Sequence, residues 1–486
     1  MASADSPPGY VCGNCKLRKK KCDKARPSCG YCTQKKLACQ YGPSDLKYLT
    51  FQPQVLVAAS SPIIRSSLLL SHTLSEVLMS EPKNVDSALY LQILRIIRTT
   101  GQSVDDMTVR YFRGIHYFMP IISRPRFHER VVDIGAPPPA SFSMLLLSMC
   151  LITYHPEIDP QPEAALDPET LYMTTKTLFA QVQASHPRSL RLIQAGTMIA
   201  TYEYASRRVH DALATIGTCA RMGYAARIHL ASPVPGTELY PQTEEEANTW
   251  WGIIICERTF FCELDDFQQP FTTKVPSREA PLPTEPGGAD HSVPKSHIPH
   301  DSTDTSTQYD NGGFASVAQA AWLLDQVFKI LEIPDLDLRL IQLDGLDHTL
   351  RSFLAVIMEE ARGRWGSFCA ANAIIERALF ILHWHILAQV PHMGYCKHKS
   401  REQWRESSLA ALDTLVTMTK DVTASQDTIP LSLVDILPPS CAYIILASLR
   451  HIENAQVKRR GWSAAEKQLR SSLQKFHHRW NTLGRQ

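Results

Sequence analysis

Six of the chain's 13 cysteines stand at Cys12, Cys15, Cys22, Cys29, Cys32 and Cys39, and the other seven are scattered singly from Cys150 to Cys441. The six follow one rule, Cys-X2-Cys-X6-Cys, then six residues, then Cys-X2-Cys-X6-Cys again, which is a duplication with a shift of 17 residues. The short gap lets two thiolates converge on one tetrahedral ion at about 2.3 Å, and the longer gap spans a short helix and a turn back to the metal. Soft thiolates with no His or carboxylate in the set select zinc or an iron-sulfur centre over calcium or magnesium. Six thiolates complete two four-coordinate zinc ions only if two of the sulfurs are shared. A disulfide framework would need an oxidising compartment, and the duplicated spacing differs from the usual ferredoxin runs.

The same segment holds the chain's positive charge. Between Cys12 and Cys39 there are nine Lys or Arg against the single acid Asp23, so the segment is formally +8. The totals are 50 bases and 48 acids, which leaves 41 bases against 47 acids, or −6, everywhere else. A basic head on a mildly acidic body is the asymmetry of a nucleic-acid-binding module. Two zinc ions and six thiolates together add about −2, so the folded head stays near +6 and still seeks phosphate. The first arm, "KLRKKK" at 16–21, carries more charge than the second, "TQKKLA" at 33–38, and is the better candidate for a DNA groove.

The stretch "CGNCKLRKKKCDKARPSCGYCTQKKLACQY" resembles the fungal binuclear zinc cluster DNA-binding domain, through all six cysteines, the basic run before the third, and Pro27 in the loop joining the halves. The resemblance implies two Zn2+ ions, with Cys12 and Cys29 bridging, Cys15 and Cys22 completing one tetrahedron, and Cys32 and Cys39 the other. It also implies that the first arm reads a CGG-type triplet in double-stranded DNA, with Arg18 and Lys19 at the bases, where guanine offers O6 and N7. Lys16, Lys20, Lys21 and Lys24 then fall to phosphate contacts, which set register and salt dependence, and Leu17 packs against the cluster. The run "KLRKKKCDK" also suits a nuclear localisation signal. The alternative, from another class, is an interaction or sensor protein in which the zinc cluster is structural and does not read DNA.

The elements that position this module divide the chain into a tail at 1–11, the cluster at 12–42, a linker at 43–87 and a large helical domain at 88–486. The linker reading rests on Pro43, Pro53, Pro62 and Pro82, and on "IIRSSLLLSHTLSEVLM" at 63–79, which lacks three sustained heptads. The chain therefore either binds DNA as a monomer or forms a homodimer through its larger domain, without an evident coiled coil. From residue 88 apolar residues recur at helical spacing and strand alternation is scarce, so the fold expected is all-α. Three stretches, 109–127, 192–230 and 244–271, resemble in order the fungal-specific regulatory domain that commonly follows the cluster. Such a protein acts in the nucleus on RNA polymerase II genes, as a regulator of a biosynthetic (secondary metabolite) gene cluster or a nutrient pathway, with the transcription machinery or co-regulators as partners.

Within that domain Trp250 and Trp251 read as core residues, and Gln268, Gln269 and Pro270 stand where family members often have Gly-Arg-Pro. Residues 274–313, rich in Pro, Ser, Thr, Asp and Gly, read as a disordered internal loop. The N-terminus lacks a basic n-region and apolar h-region, which predicts an intracellular protein, and the apolar run 144–152 is too short to span a membrane. "HWH" at 383–385 cannot converge on one metal from a helix, His392, Cys396 and His398 form a weak second set, and no catalytic motif is found. An enzyme is not expected.

Overall fold

The computed structural model describes residues 11–12, 15, 18–25, 28–35 and 39 of the cysteine-rich head. Beyond it are described 61–79, 84–132, 137–155, 166–230, 241–265, 267–277, 280–283, 313–360, 368–392, 399–427, 429–455 and 461–480. Two compact units divide the chain, Met1–Leu68 and Leu69–Gln486. The all-α expectation holds: every regular element among the described residues is a helix. The tail at 1–11, apart from Val11, and most of the loop expected at 274–313 lie outside the described residues.

The small unit carries α1 (Gly30–Gln34). Next comes α2 (Pro62–Leu78), a helix of 17 residues inside the stretch read as linker. Pro62 opens this helix because a proline at its first position loses no intrahelical hydrogen bond. Leu69, Thr73 and Val77 are buried along one face, and Gln92 Nε2 donates to Leu70 O at 3.1 Å. Ile63, Ile64, Leu74 and Leu78 stay exposed on it.

The large unit continues with α3 (Val85–Thr99), α4 (Val104–Arg113), α5 (Arg124–Val132), α6 (Ala140–Thr153), α7 (Pro168–Ser185), α8 (Leu190–Ala205), α9 (Val209–Ala226) and α10 (Pro241–Phe261). Then follow α11 (Gly313–Leu331), α12 (Leu336–Glu360), α13 (Cys369–Gln389), α14 (Arg401–Gln426), α15 (Ser440–Asn454) and α16 (Trp462–Trp480). Local side chains set several starts. Asn84, Ser103 and Asp167 each accept a hydrogen bond from the backbone N–H three residues on, and Ser400 and Gln403 form a reciprocal capping box.

Two helices that are buried on nearly every face form the centres of the core. α8 is buried from Leu192 through Ala205 and packs on α6, α9 and α10. α13 packs on α11, α12, α14 and α15. The segment Cys369–His392 is long and apolar enough to cross a membrane by composition, and 72% of its apolar window is buried inside the protein. The last helix is tied back to the first half of the domain. Arg479 in α16 pairs with Asp435 and donates to Ile152 O at 2.6 Å and Tyr154 O at 3.1 Å at the end of α6.

Candidate metal centre and nucleic-acid interface

The two Cys-X2-Cys turns repeat one local geometry. Cys15 N–H donates to Cys12 Sγ at 3.5 Å, and Cys32 N–H donates to Cys29 Sγ at 3.4 Å. Cys29 is thereby also the N-cap of α1. Each turn aims its sulfurs inward, and Cys12, Cys15, Cys29 and Cys32 are fully buried with their Sγ atoms all within 4.8 Å of one another. Cys22, Tyr31 and Cys39 pack against this cluster. Cys29 N–H also reaches Cys39 Sγ at 3.2 Å, and Cys22 Sγ lies within 4.8 Å of Cys29 Sγ.

The sulfur spacing identifies what the cage fits. Cys12–Cys29 and Cys15–Cys29 are 3.6 Å apart and Cys12–Cys32 is 3.7 Å. A disulfide needs about 2.05 Å, whereas four sulfurs at about 2.3 Å from a tetrahedral ion stand about 3.8 Å apart. Cys12 stands at this spacing from both Cys29 and Cys32, and Cys29 from both Cys12 and Cys15. Burial pushes the Cys12, Cys15 and Cys32 thiols up, Cys32 to about 12. For Cys39 burial acts upward too, but the Cys29 N–H and neighbouring hydrogen bonds outweigh it and bring the thiol down to about 7. Buried sulfurs of this kind become thiolates when divalent ions compensate their charge, so the donor set suits two zinc ions.

One acid braces the cage. Gly30 N–H donates to both carboxylate oxygens of Asp23, at 2.9 and 3.1 Å, joining the end of the first half to the start of α1. A Cβ at position 30 would come 2.7 Å from Asp23 Oδ2, so a side chain there would displace the carboxylate from this contact. The sequence reading counted Asp23 only as a charge. Its signal was being the single acid of the module, seven residues before a glycine that follows a cysteine.

The basic arm ends abruptly. Cys15 is helical, Lys19 adopts φ +50°, and Lys20 N–H closes back on Cys15 O at 2.9 Å, the six-to-one bond that terminates a helix with a left-handed residue. Arg18, Lys19, Lys20 and Lys21 are exposed, and no ion pair holds them among the described residues. Lys24 is half-buried at φ +59° and differs from them in that respect. Lys16 and Leu17 lie outside the described residues.

In the large unit, Trp250 and Trp251 are each 5% exposed, in the core. Past the exposed Gln268, Gln269 and Pro270, Phe271 lies under the Arg258 guanidinium, 3.7 Å from carbon to ring centre. Arg258 pairs at 2.7 Å with both Glu257 and Asp325 and donates to Thr273 O at 2.9 Å, which pins this segment to α10. His383 stands between Ser408 Oγ (3.4 Å) and Asp347 Oδ1 (3.2 Å). That resembles a nucleophile–base–acid array, but Ser408 is 0% exposed, so substrate has no access to its hydroxyl. Cys396 and His398 lie outside the described residues.

Comparison with known proteins agrees with this geometry. Residues 10–48 match the fungal Zn(2)-Cys(6) binuclear cluster domain, and residues 109–264 match the fungal specific transcription factor domain. Transcription factor BOA15 of Botryotinia fuckeliana is 32% identical over 126 residues, which is 26% of this chain and 68% of that protein. The asperfuranone cluster transcription factor afoA of Emericella nidulans is 47% identical over 55 residues, 10% of this chain and 8% of that protein. Sterol uptake control protein 2 of Saccharomyces cerevisiae is 53% identical over 36 residues, 7% of this chain and 4% of that protein. No solved structure matches.

Proposed function

Because the chain belongs to the fungal Zn(2)-Cys(6) binuclear cluster transcription factors, we propose that it is a nuclear regulator whose basic first arm reads a CGG-type triplet. In that family six cysteines bind two zinc ions. Here Cys12 and Cys29 would be the shared ligands, Cys15 and Cys22 would complete one set of four, and Cys32 and Cys39 would complete the other. The zinc supplies charge neutralisation and fixed geometry, and the protein residues do the reading.

The observation that carries this reading is Lys19. A left-handed backbone suits glycine, and a lysine there is retained at an energetic cost. The turn leaves Arg18 and Lys19 at the exposed end of the arm, suited to guanine O6 and N7. Lys20, Lys21 and Lys24 lie next to them in the chain and take phosphates, with Lys16 in the same role. Control of a biosynthetic gene cluster draws support from one relative, named as an asperfuranone cluster transcription factor, with a nutrient pathway as the alternative. Recruitment of the transcription machinery or co-regulators completes the proposal, in which the chain binds DNA as a monomer or, without a coiled coil to pair it, as a homodimer through the large unit. The domain limits proposed are 12–42 for the cluster and 88–486 for the regulatory domain.

The test is retention of labelled duplexes by the full-length zinc-loaded protein at moderate salt. A duplex carrying CGG is retained over a scrambled one of equal length. Equal, weak retention of both would reject DNA reading in favour of a cluster that only supports protein contacts.

A further inference from the structure

A cavity of about 300 Å³ lies in the large unit where the α8–α9 turn, the residues after α10, α13 and α15 meet. Its wall includes Arg207, Glu263, Arg377, Trp384, Tyr443 and Arg450. Three guanidiniums thus share it with one carboxylate. That carboxylate is already taken, since Arg377 Nε and Nη2 hold Glu263 Oε1 and Oε2 at 2.8 and 3.0 Å. Arg207 and Arg450 have no carboxylate partner among the described residues, and Nη1 of Arg377 is buried without a hydrogen-bond acceptor. Like charges gathered around one hollow repel each other where water does not screen them, and an anion entering the hollow relieves that repulsion.

The backbone gives a second, independent indication. Arg207 sits at φ +61°, in the turn where Arg208 N–H closes on Glu203 O at 2.8 Å and ends α8. Glycine is the residue that fits such a position without strain. An arginine is held there instead, half-buried, with its side chain on the cavity wall. Strain of this kind concentrates at binding sites. The helix dipole at the end of α8 favours a cation near Arg207, but it does nothing for Arg450, which lies in α15.

The apolar part of the wall sets the rest of the ligand. Tyr443 stacks on Tyr204 with ring centres 4.2 Å apart and spends its hydroxyl on Tyr204 O at 2.7 Å, so it offers ring surface to the cavity and no donor. The Arg377 and Arg450 guanidiniums each stand near the Trp384 ring, 5.5 and 5.6 Å from its centre. We propose that this cavity binds a small organic acid, a carboxylate or phosphate monoester on an apolar body of roughly a dozen non-hydrogen atoms. Arg207 and Arg450 grip the acidic head, and the aromatic wall takes the body. The inference stands apart from the DNA reading and is measured without DNA.

The experiment uses the full-length zinc-loaded protein, with calorimetric titration and thermal melting against 1-naphthoate, 1-naphthyl phosphate and the neutral 1-naphthalenemethanol. At least one acid binds with a Kd below about 1 mM and raises the melting temperature, while the alcohol does neither. The better acid identifies the head group. Arg207→Gly relieves the backbone, so it keeps or raises the ligand-free melting temperature, yet weakens the acid about 10-fold or more. Arg450→Ala, at an exposed position, weakens the acid similarly and leaves the fold unchanged. The proposal is overturned if neither acid binds better than the alcohol, if both variants bind as the parent does, or if Arg207→Gly lowers the ligand-free melting temperature.

Discussion

The Asp23 carboxylate and the Gly30 amide are in direct contact, at 2.9 and 3.1 Å, and this contact couples the two halves of the zinc cage through protein atoms alone. Asp23→Ala removes an exposed, charge-assisted hydrogen bond at the start of α1 and is expected to cost about 1–2 kcal/mol. Gly30→Ala forces a Cβ to 2.7 Å from Asp23 Oδ2 and costs a similar amount. The two losses share one contact, so the double variant falls short of their sum. Chelator titration of bound zinc measures all three, and strict additivity would contradict the coupling.

Lys19 separates backbone from side chain. Lys19→Gly relieves φ +50° and keeps or improves zinc retention, whereas Lys19→Ala keeps the strain. Both lose the side chain, and both are expected to lose about 1–3 kcal/mol of preference for CGG over a mutated triplet. Lys20→Ala weakens all duplexes alike and lowers the salt slope by about one. Unchanged triplet preference in both Lys19 variants would show that the arm's tip does not read bases.

The cage was legible in the sequence because its information is local: two short gaps, three longer ones and a repeat of 17 residues. The all-α character was legible because helical periodicity runs through segments such as α3 and α16. Other features depend on how remote pieces pack, and periodicity carries none of that. Arg207, Arg377 and Arg450 meet only because three separate helical segments converge. Lys19 and Arg207 adopt left-handed backbone without the glycine that announces it. α2 was hidden because Pro62 reads as a breaker when it is followed by irregular chain, and as a starter when a helix follows.

Metal removal should act on the head unit and spare the large one. Chelation discharges the charge compensation that the buried Cys12, Cys15, Cys29 and Cys32 sulfurs require, so the head unfolds as its binding free energy for metal is lost. The large unit contributes nearly all of the helix and keeps its thermal transition. Far-ultraviolet circular dichroism should therefore change little on chelation while CGG-duplex retention disappears. Loss of most of the helical signal would contradict this separation.

The buried Glu376 in α13 predicts a pH dependence of the large unit's stability. It is 0% exposed, accepts from Asn372 Nδ2 at 2.6 Å and Thr419 Oγ1 at 2.8 Å, and burial outweighs those hydrogen bonds to raise its carboxyl to about 7. Below the usual carboxylate value of 4.5 it is protonated in both the folded and the unfolded chain. Between 4.5 and about 7 the unfolded chain releases the proton and the folded one keeps it, so the stability tied to this group is full at low pH and is lost as pH rises through 7. The loss amounts to about 3 kcal/mol across that window. Glu376→Gln has nothing to titrate, and its amide can donate to Asn372 Oδ1, which is buried without a partner. Denaturant midpoints of the parent should therefore fall relative to the variant between pH 5 and 8, by about 3 kcal/mol after multiplication by the slope m. Parallel profiles for the two proteins would mean that Glu376 ionises in the folded state at its ordinary value.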